Sequence, residues 1–285
     1  MCSCLVDVWK PMNNPPLITI IIAVFNAEKT LQQCLDSVAN QTYPNIQLVI
    51  IDGASTDKTV EILEHNKEKI DYYVSEQDRG IYHAWNKGLE QARGEWICFL
   101  GADDYFYSND ALQNMQNGIA YYVPKDVKIV YGKVMLVNSV GVEQELIGEE
   151  WRLIKDKFQH LMCIPHPAVL HHKTLFEQMG NFDEQFHIAG DYEILLRELK
   201  HADAYSLMNV IMVAMREGGI SSKPENALRS LKEMRLAQKK HGQILMNKTI
   251  SILMIKGYLR KVIMALLGDK YANKTFDFIR AIKKT

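Results

Sequence analysis

Two adjacent carboxylates, Asp103 and Asp104, follow the apolar run Trp96-Ile97-Cys98-Phe99-Leu100 and a small Gly101-Ala102 step. Like charges side by side at the end of a buried segment repel each other, and a hard divalent cation relieves that repulsion. Mg²⁺ or Mn²⁺ is held by one or two carboxylates, with substrate phosphates and water completing the octahedron. Comparable residues recur at other segment ends. Phe25 follows "LITIIIAV", Asp52 closes "IQLVIID", and Asp191 opens "DYEILLREL". Neither G-x-G-x-x-G nor G-x-x-x-x-G-K follows any apolar run, so phosphates would be held by metal and basic side chains, with Arg79 in "EQDRGIYHAWNKG" the best-placed candidate. His166, in "CIPHPAVLHH", is a candidate contact for an acceptor or metal, with a purely structural role as the alternative. Asn86 is either a support for the donor loop or a helix-interior residue.

These side chains need elements that carry them to one place. "LITIIIAVF", "IQLVIID" and "EWICFLG" read as strands buried on both faces, and "DYYVS" as a shorter one. Between them, "NAEKTLQQCLDSVANQ" repeats Leu31, Cys34, Leu35 and Val38 at helical spacing. "STDKTVEILEHNKEKI" reads as a second helix with Ser55 or Thr56 as N-cap, and "GIYHAWNKGLEQA" as a third. This alternation specifies a Rossmann-like, mostly parallel α/β sheet over residues 17–104. In such a sheet ligands bind outside the carboxyl ends of the strands, which is where Phe25, Asp52, Asp103 and Asp104 fall. Past Asp104 the rhythm changes. "NDALQNMQNGIAYY" and "GDYEILLRELKHA" read as helices, and "VKIVYGKVML" with "GVEQELIG" as paired strands. "PAVLHH" and "AYSLMNVIMVAMR" read as further strands, in which Met212 and Met215 are core, as is Trp85 in the third helix. The expected organisation is a leader over 1–16, a mixed-sheet domain over 17–222 with its acceptor-side half at 105–222, and a helical extension over 223–285.

The 285 residues are 47% hydrophobic, enough for a sizeable core, and 33 Lys+Arg against 34 Asp+Glu leave a formal net charge of −1. That balance removes the global argument for nucleic-acid binding. The five cysteines are an odd number without a Cys-x-x-Cys pair, which points to free thiols in a reducing compartment and against structural zinc. The N-terminal segment lacks the basic head and apolar core of a signal peptide, and no run of about 18 uncharged apolar residues announces a spanning helix. A cytoplasmic location is expected, with the inner face of the membrane as an extension of it.

Taken in order, "ITIIIAVFNAEKTLQQCLDSVANQTYPNIQLVIIDGASTDKT", "EQDRGIYHAWNKGLEQARGEWICFLGADD", "FDEQFHIAGDYEILLR" and "GGIS" resemble glycosyltransferase family 2, whose fold is the GT-A type. The resemblance covers residues 17–222. It implies a GT-A Rossmann-like mixed, mostly parallel sheet flanked by helices, and metal-dependent transfer of a sugar from a nucleotide-sugar donor, a UDP sugar first, to a glycan or lipid-linked acceptor with inversion. By the same resemblance Phe25 lies against the base, Asp52 accepts a hydrogen bond from it, Arg79 neutralises the diphosphate and Asp103 binds the ribose. Asp104 ligates the metal as the last acid of a DxD-type motif whose first acid is here Ala102, and Asp191 is the catalytic base. Gly53 stands where many relatives carry a second Asp. At the start of a helix, Asp191 is expected to favour its ionised form. The alternatives are a sugar nucleotidyltransferase, which normally carries a Gly- and Arg-rich loop where this chain reads "FNAEKT", and a catalytically silent nucleotide-sugar-binding module.

Residues 239–267 hold Lys and Arg but no acid, with Ile252, Ile255, Leu259, Val262 and Leu266 at helical spacing. Such a helix lies on an anionic membrane surface, packs on the catalytic domain or makes a homodimer contact.

Overall fold

The computed structural model describes residues 15–219, 226–245 and 247–267. The leader expected over 1–16 therefore falls almost wholly outside the described residues, as do Ile220 and Ser221 of "GGIS". The β-branched runs form β1 (Ile18–Val24), β2 (Ile46–Asp52), β3 (Tyr72–Ser75) and β4 (Trp96–Gly101), all parallel. They are linked by α1 (Leu31–Ala39), α2 (Thr59–His65) and α3 (Ile81–Gln91). Register fixes the common edge: Val24 stands beside Asp52, and Ala23 beside Gly101. The side chains of β1 divide between two cores, Ile18, Ile20 and Ile22 toward α1 and Ile21 toward α3, which is why an unbroken apolar strand is needed here.

The second half adds β5 (Tyr105–Phe106), α4 (Ala111–Tyr122), β6 (Ile129–Val137), β7 (Glu143–Ile147), α5 (Trp151–Phe158), β8 (Val169–His172), α6 (Lys173–Met179), α7 (Gly190–Leu199) and β9 (Tyr205–Arg216). Sheet order is β3-β2-β1-β4-β8-β6-β9-β5, with β7 on β6. β8 runs antiparallel to both β4 and β6, so β6, and β9 parallel to it, point the same way as β4. The ends of β1, β2, β4 and β9 therefore open on one edge. The elements α5, α6 and β5 were not read from the sequence; the two helices are only 8 and 7 residues long and β5 only two. α5 still buries Trp151, Ile154 and Phe158.

The second helix starts later than expected. Thr59 is its first residue and Lys58 its N-cap, because Ser55 bonds Asp52 and the amide of Thr56 bonds Asn26. Asp57 receives the Thr59 amide in place of the expected cap. Beyond β9, α8 (Ala227–Lys240) lies along α7, and α9 (Lys248–Leu267) lies against α8, where a Cβ on Gly257 would stand 3.1 Å from Leu228. In α9 Ile250 is buried, whereas Ile252, Ile255, Tyr258 and Leu259 are exposed; the side chains of Val262 and Leu266 lie outside the description. Among the described residues no helix is long and apolar enough to cross a membrane. Cys34, Cys98 and Cys163 are free thiols.

Candidate active site

The loops after β1 and β2 interlock. Asn26 and Ala54 adopt φ of 50° and 62°, the left-handed region that costs a non-glycine residue energy unless its surroundings impose it. Here they do: Ser55 Oγ accepts the Asn26 amide at 2.8 Å, and Asn26 Oδ1 accepts the Thr56 amide at 2.9 Å. This turn leaves Phe25 64% exposed at the edge. Gly53 sits behind the ring, where an added Cβ would meet Asp78 Oδ2 at 2.7 Å and Phe25 Cδ2 at 3.4 Å. Asp52 is fully buried and already engaged. Ser55 donates from N to Oδ2 (3.0 Å) and from Oγ to Oδ1 (2.5 Å), and Ser75 Oγ donates to Oδ2 (2.5 Å). Its carboxylate thus ties the loop after β2 to the end of β3, and a ligand donor would have to share lone pairs with the serines.

At the end of β4 the two acids part. Asp103 is exposed, and Asp104 is buried with Oδ1 accepting the Arg216 amide at 2.9 Å from the end of β9. Burial, then the Asp103 charge, push the Asp104 carboxyl up to about 8, against the lowering effect of Arg216. The Arg216 guanidinium lies 5.4 Å from the Tyr105 ring centroid and bonds Gln33 and the Ser139 carbonyl. Two hard carboxylates, one of them buried against a like charge, fit a divalent cation. Among the described residues no set of three or more His, Cys, Asp or Glu surrounds a common point, so any further ligands would come from substrate and water.

Arg79 precedes α3 and is 71% exposed; its Nη2 meets Glu184 Oε2 at 2.6 Å. Asn86, on α3, donates to the Phe182 carbonyl (2.9 Å) and Glu184 Oε1 (3.1 Å) and accepts the Phe182 amide (3.0 Å). The Asn86 contacts run to the loop at 182–184 rather than within α3, and through Glu184 they reach Arg79.

Asp191 lies in the first turn of α7, partly exposed. Tyr192 N–H donates to its Oδ1 at 2.7 Å and Tyr82 O–H at 3.4 Å. The expected preference for the ionised form is reversed. Burial raises the carboxyl to about 6, the hydrogen bonds from Tyr192 and Tyr82 pull against it, and Glu233 adds to the rise. Gly190 lets Tyr82 approach, since a Cβ there would stand 2.8 Å from the ring.

His166 sits among aromatic rings. It is buried, stacked on Trp85 (centroids 5.3 Å) and Phe99 (5.9 Å), beside His171, and burial holds its ring well below the usual histidine range. Those rings fit a structural role, while among the described residues its buried Nε2 has no hydrogen-bond partner. Trp85 and Met212 are core as expected, and Met215 is part-buried. A separate open cleft of about 330 Å³, lined by Glu28, Lys29, Lys58, Glu61, Ile62 and His65, holds none of the acids discussed. Tyr82, Arg216 and Glu233 were missed in the sequence. Only Tyr82, three residues after Arg79 at a helix start, carried a local cue.

A mixed, mostly parallel sheet whose strand ends gather an exposed aromatic and carboxylates on one edge is an arrangement of the GT-A type. Residues 19–179 match the family described as Glycosyl transferase family 2. The chain is 31% identical over 212 residues to a PGL/p-HBAD biosynthesis glycosyltransferase of Mycobacterium bovis, covering 73% of this chain and 80% of that one. It is 44% identical over 137 residues to an uncharacterized glycosyltransferase of Haemophilus influenzae (47% and 53%). Staphylococcus aureus TarS in complex with UDP superposes with a TM-score of 0.62 at 20% identity, covering 87% of this chain and 72% of that one. The mannosyltransferase PcManGT of Pyrobaculum calidifontis, in complex with GDP-Man and Mn²⁺, gives 0.62 at 18% identity, covering 96% and 82%. The chain belongs to glycosyl transferase family 2, and it is a glycosyltransferase; the nucleotidyltransferase and silent-module alternatives fall away.

Proposed function

We propose that this enzyme moves a hexosyl group from a nucleotide sugar, with UDP as the first carrier to test, to a hydroxyl of a glycan or lipid-linked acceptor, with inversion. The observation that carries the reading is the register of β1, β2 and β4, which gathers Phe25, Asp52 and the Asp103-Asp104 pair on one edge. Phe25 would lie against the base and Asp52 would share a hydrogen bond with it, while Asp103 takes the ribose and Arg79 the diphosphate. Asp104 would hold Mn²⁺ or Mg²⁺, which when bound supplies Lewis-acid stabilisation of the departing diphosphate. Asp191 would accept the proton of the acceptor hydroxyl as its oxygen bonds to the anomeric carbon. The bond from that carbon to the diphosphate oxygen breaks, and its electron pair leaves with the nucleoside diphosphate. A carboxyl raised to about 6 suits this role, ionised at neutral pH yet more basic than an ordinary aspartate.

The named complexes of TarS with UDP-GlcNAc and of PcManGT with GDP-Man and Mn²⁺ support donor and metal classes for that fold. The exposed Ile252, Ile255 and Leu259, on a helix with Lys248 and Lys256, support a peripheral contact with the inner face of an anionic membrane in the cytoplasm. Flotation with anionic vesicles at low salt tests that contact, and absence of association refutes it; a concentration-dependent mass would instead favour a dimer contact. For the chemistry, a panel of UDP- and GDP-sugars is incubated with enzyme and Mn²⁺, reading free nucleoside diphosphate and melting temperature. One donor should be turned over; if none is turned over and none raises the melting temperature, the donor assignment is refuted.

A further inference from the structure

Helix α8 lies outside residues 19–179, the part matched by the family, yet it touches the chain on both sides of Asp191. Glu233 Oε2 accepts three successive backbone amides, those of His187 (2.9 Å), Ile188 (2.7 Å) and Ala189 (3.0 Å), the turn that leads into α7. Its other oxygen takes Arg229 Nε at 3.0 Å, one helical turn back. Further along α8, Lys240 Nζ (3.0 Å) and, just past its end, His241 Nε2 (2.7 Å) reach Glu193 Oε1, and Gln238 Nε2 donates to Tyr192 Oη (3.1 Å). Residues 187–189, 192 and 193 are thus each held by α8, and Asp191 lies between them.

We infer that Glu233 is a positioning residue for Asp191, through which α8 sets where the carboxyl stands. This rests on the reading of Asp191 as the base. The geometry is specific: a single carboxylate oxygen collects three amides that α7 cannot satisfy, because they precede its first hydrogen-bonded turn. A mere packing contact would need only the apolar Met234 and Ala237, which are also buried on this face. The charge is retained. Burial raises the Glu233 carboxyl, but the three amides and Arg229 outweigh it and leave it below its ordinary range. The titratable groups facing Asp191 are Tyr82 on α3 and Glu233 on α8. On its own element Glu193 is paired with Arg197, Lys240 and His241, and in the preceding turn His187 Nδ1 lies 3.2 Å from the Gln185 carbonyl oxygen.

The test needs no donor. Glu233→Gln keeps an oxygen for the amides and removes the charge; Glu233→Ala removes both. In full-length protein, carbon-13 carboxyl titration of Asp191, assigned with Asp191→Asn, should show a lower midpoint in Glu233→Gln. Amide hydrogen exchange at 187–189 should quicken by about tenfold or more in Glu233→Ala. An unchanged midpoint in Glu233→Gln refutes the electrostatic role. Unchanged exchange in a folded Glu233→Ala refutes the hold; should that variant not fold, the Glu233→Gln titration alone decides. If Asp191→Asn transfers sugar normally, the base reading fails while the contact remains measurable by exchange, so the two failures are distinguishable.

Discussion

Replacing Asp191 by Asn changes stability and rate in opposite directions, and the size of each follows from one number. The carboxyl moves from 3.8 to about 6 on folding, with burial the largest cause. A tenfold change in a proton equilibrium is about 1.4 kcal/mol, so the rise from 3.8 to about 6 represents about 3 kcal/mol. The unfolded carboxyl gives up its proton near pH 4, whereas the folded one keeps it until about 6. Between those values the folded state binds more protons, so stability contributed by this group is full below about pH 4 and is lost as pH rises to about 6. Asp191→Asn retains an oxygen for the Tyr192 amide and has no charge to bury. It should therefore exceed the parent by up to about 3 kcal/mol at pH 7, with the gain vanishing near pH 4. The same carboxyl must be ionised to accept a proton. With a midpoint of about 6, roughly nine-tenths is ionised at pH 7 and about one-tenth at pH 5, so kcat of the parent should fall about tenfold from pH 7 to pH 5 and about tenfold again by pH 4. Urea unfolding at pH 4, 5, 6 and 7 measures the first effect, and nucleoside diphosphate release over the same range measures the second. A flat rate between pH 5 and 7, or a stability gain equal at pH 4 and 7, would refute the reasoning.

Asp104→Asn should abolish Mn²⁺-dependent binding of UDP by calorimetry while leaving the fold unchanged by circular dichroism; metal-dependent binding that survives it removes Asp104 as a ligand. Arg79→Ala breaks an exposed ion pair with Glu184, so unfolding free energy should change by no more than about 1 kcal/mol. The loss of a charged contact to diphosphate should instead lower kcat/KM for the donor by about 10- to 100-fold, and an unchanged kcat/KM would argue that Arg79 serves only Glu184. Gly190→Ala puts a methyl group 2.8 Å from a Tyr82 ring that stacks on Phe182 and meets Trp85 edge-on, so the ring cannot yield freely. We expect a loss of about 1–3 kcal/mol in stability and a drop in kcat with nucleotide affinity preserved; weakened nucleotide binding with normal kcat would place the damage on the wrong side of the site.

Local signals carried the first half of the fold. β-branched runs and the Leu31, Cys34, Leu35, Val38 spacing answer to a single element each, and the strand ends then locate Phe25, Asp52 and the Asp103-Asp104 pair without any tertiary knowledge. What failed locally was settled by partners far along the chain. Ser75 on β3 helps saturate Asp52, and Ser55 abandons a helix cap to do the same. For His166 the sequence left a structural role and an acceptor or metal contact side by side, and the rings packed on it, Trp85, Phe99 and His171, come from three separate elements.

Asp191 shows why the sign itself could not be read from the sequence. A helix N-terminus favours a carboxylate by about 0.3–1 kcal/mol, while enclosing a charge can cost several. The first contribution depends on residues adjacent in sequence. The second comes from enclosure by distant elements, with Glu233 on α8 adding to it, and it outweighs even the opposing hydrogen bond from Tyr82, 109 positions away. Because the distant contributions are the larger, the local rule gives the wrong direction at the residue where catalysis most needs a basic carboxylate. The same comparison explains why Glu233 leaves no local trace. Its three amides lie 44 to 46 residues before it, and nothing in the spacing of "ALRSLKEMRLAQKK" separates it from any other acid on an amphipathic helix.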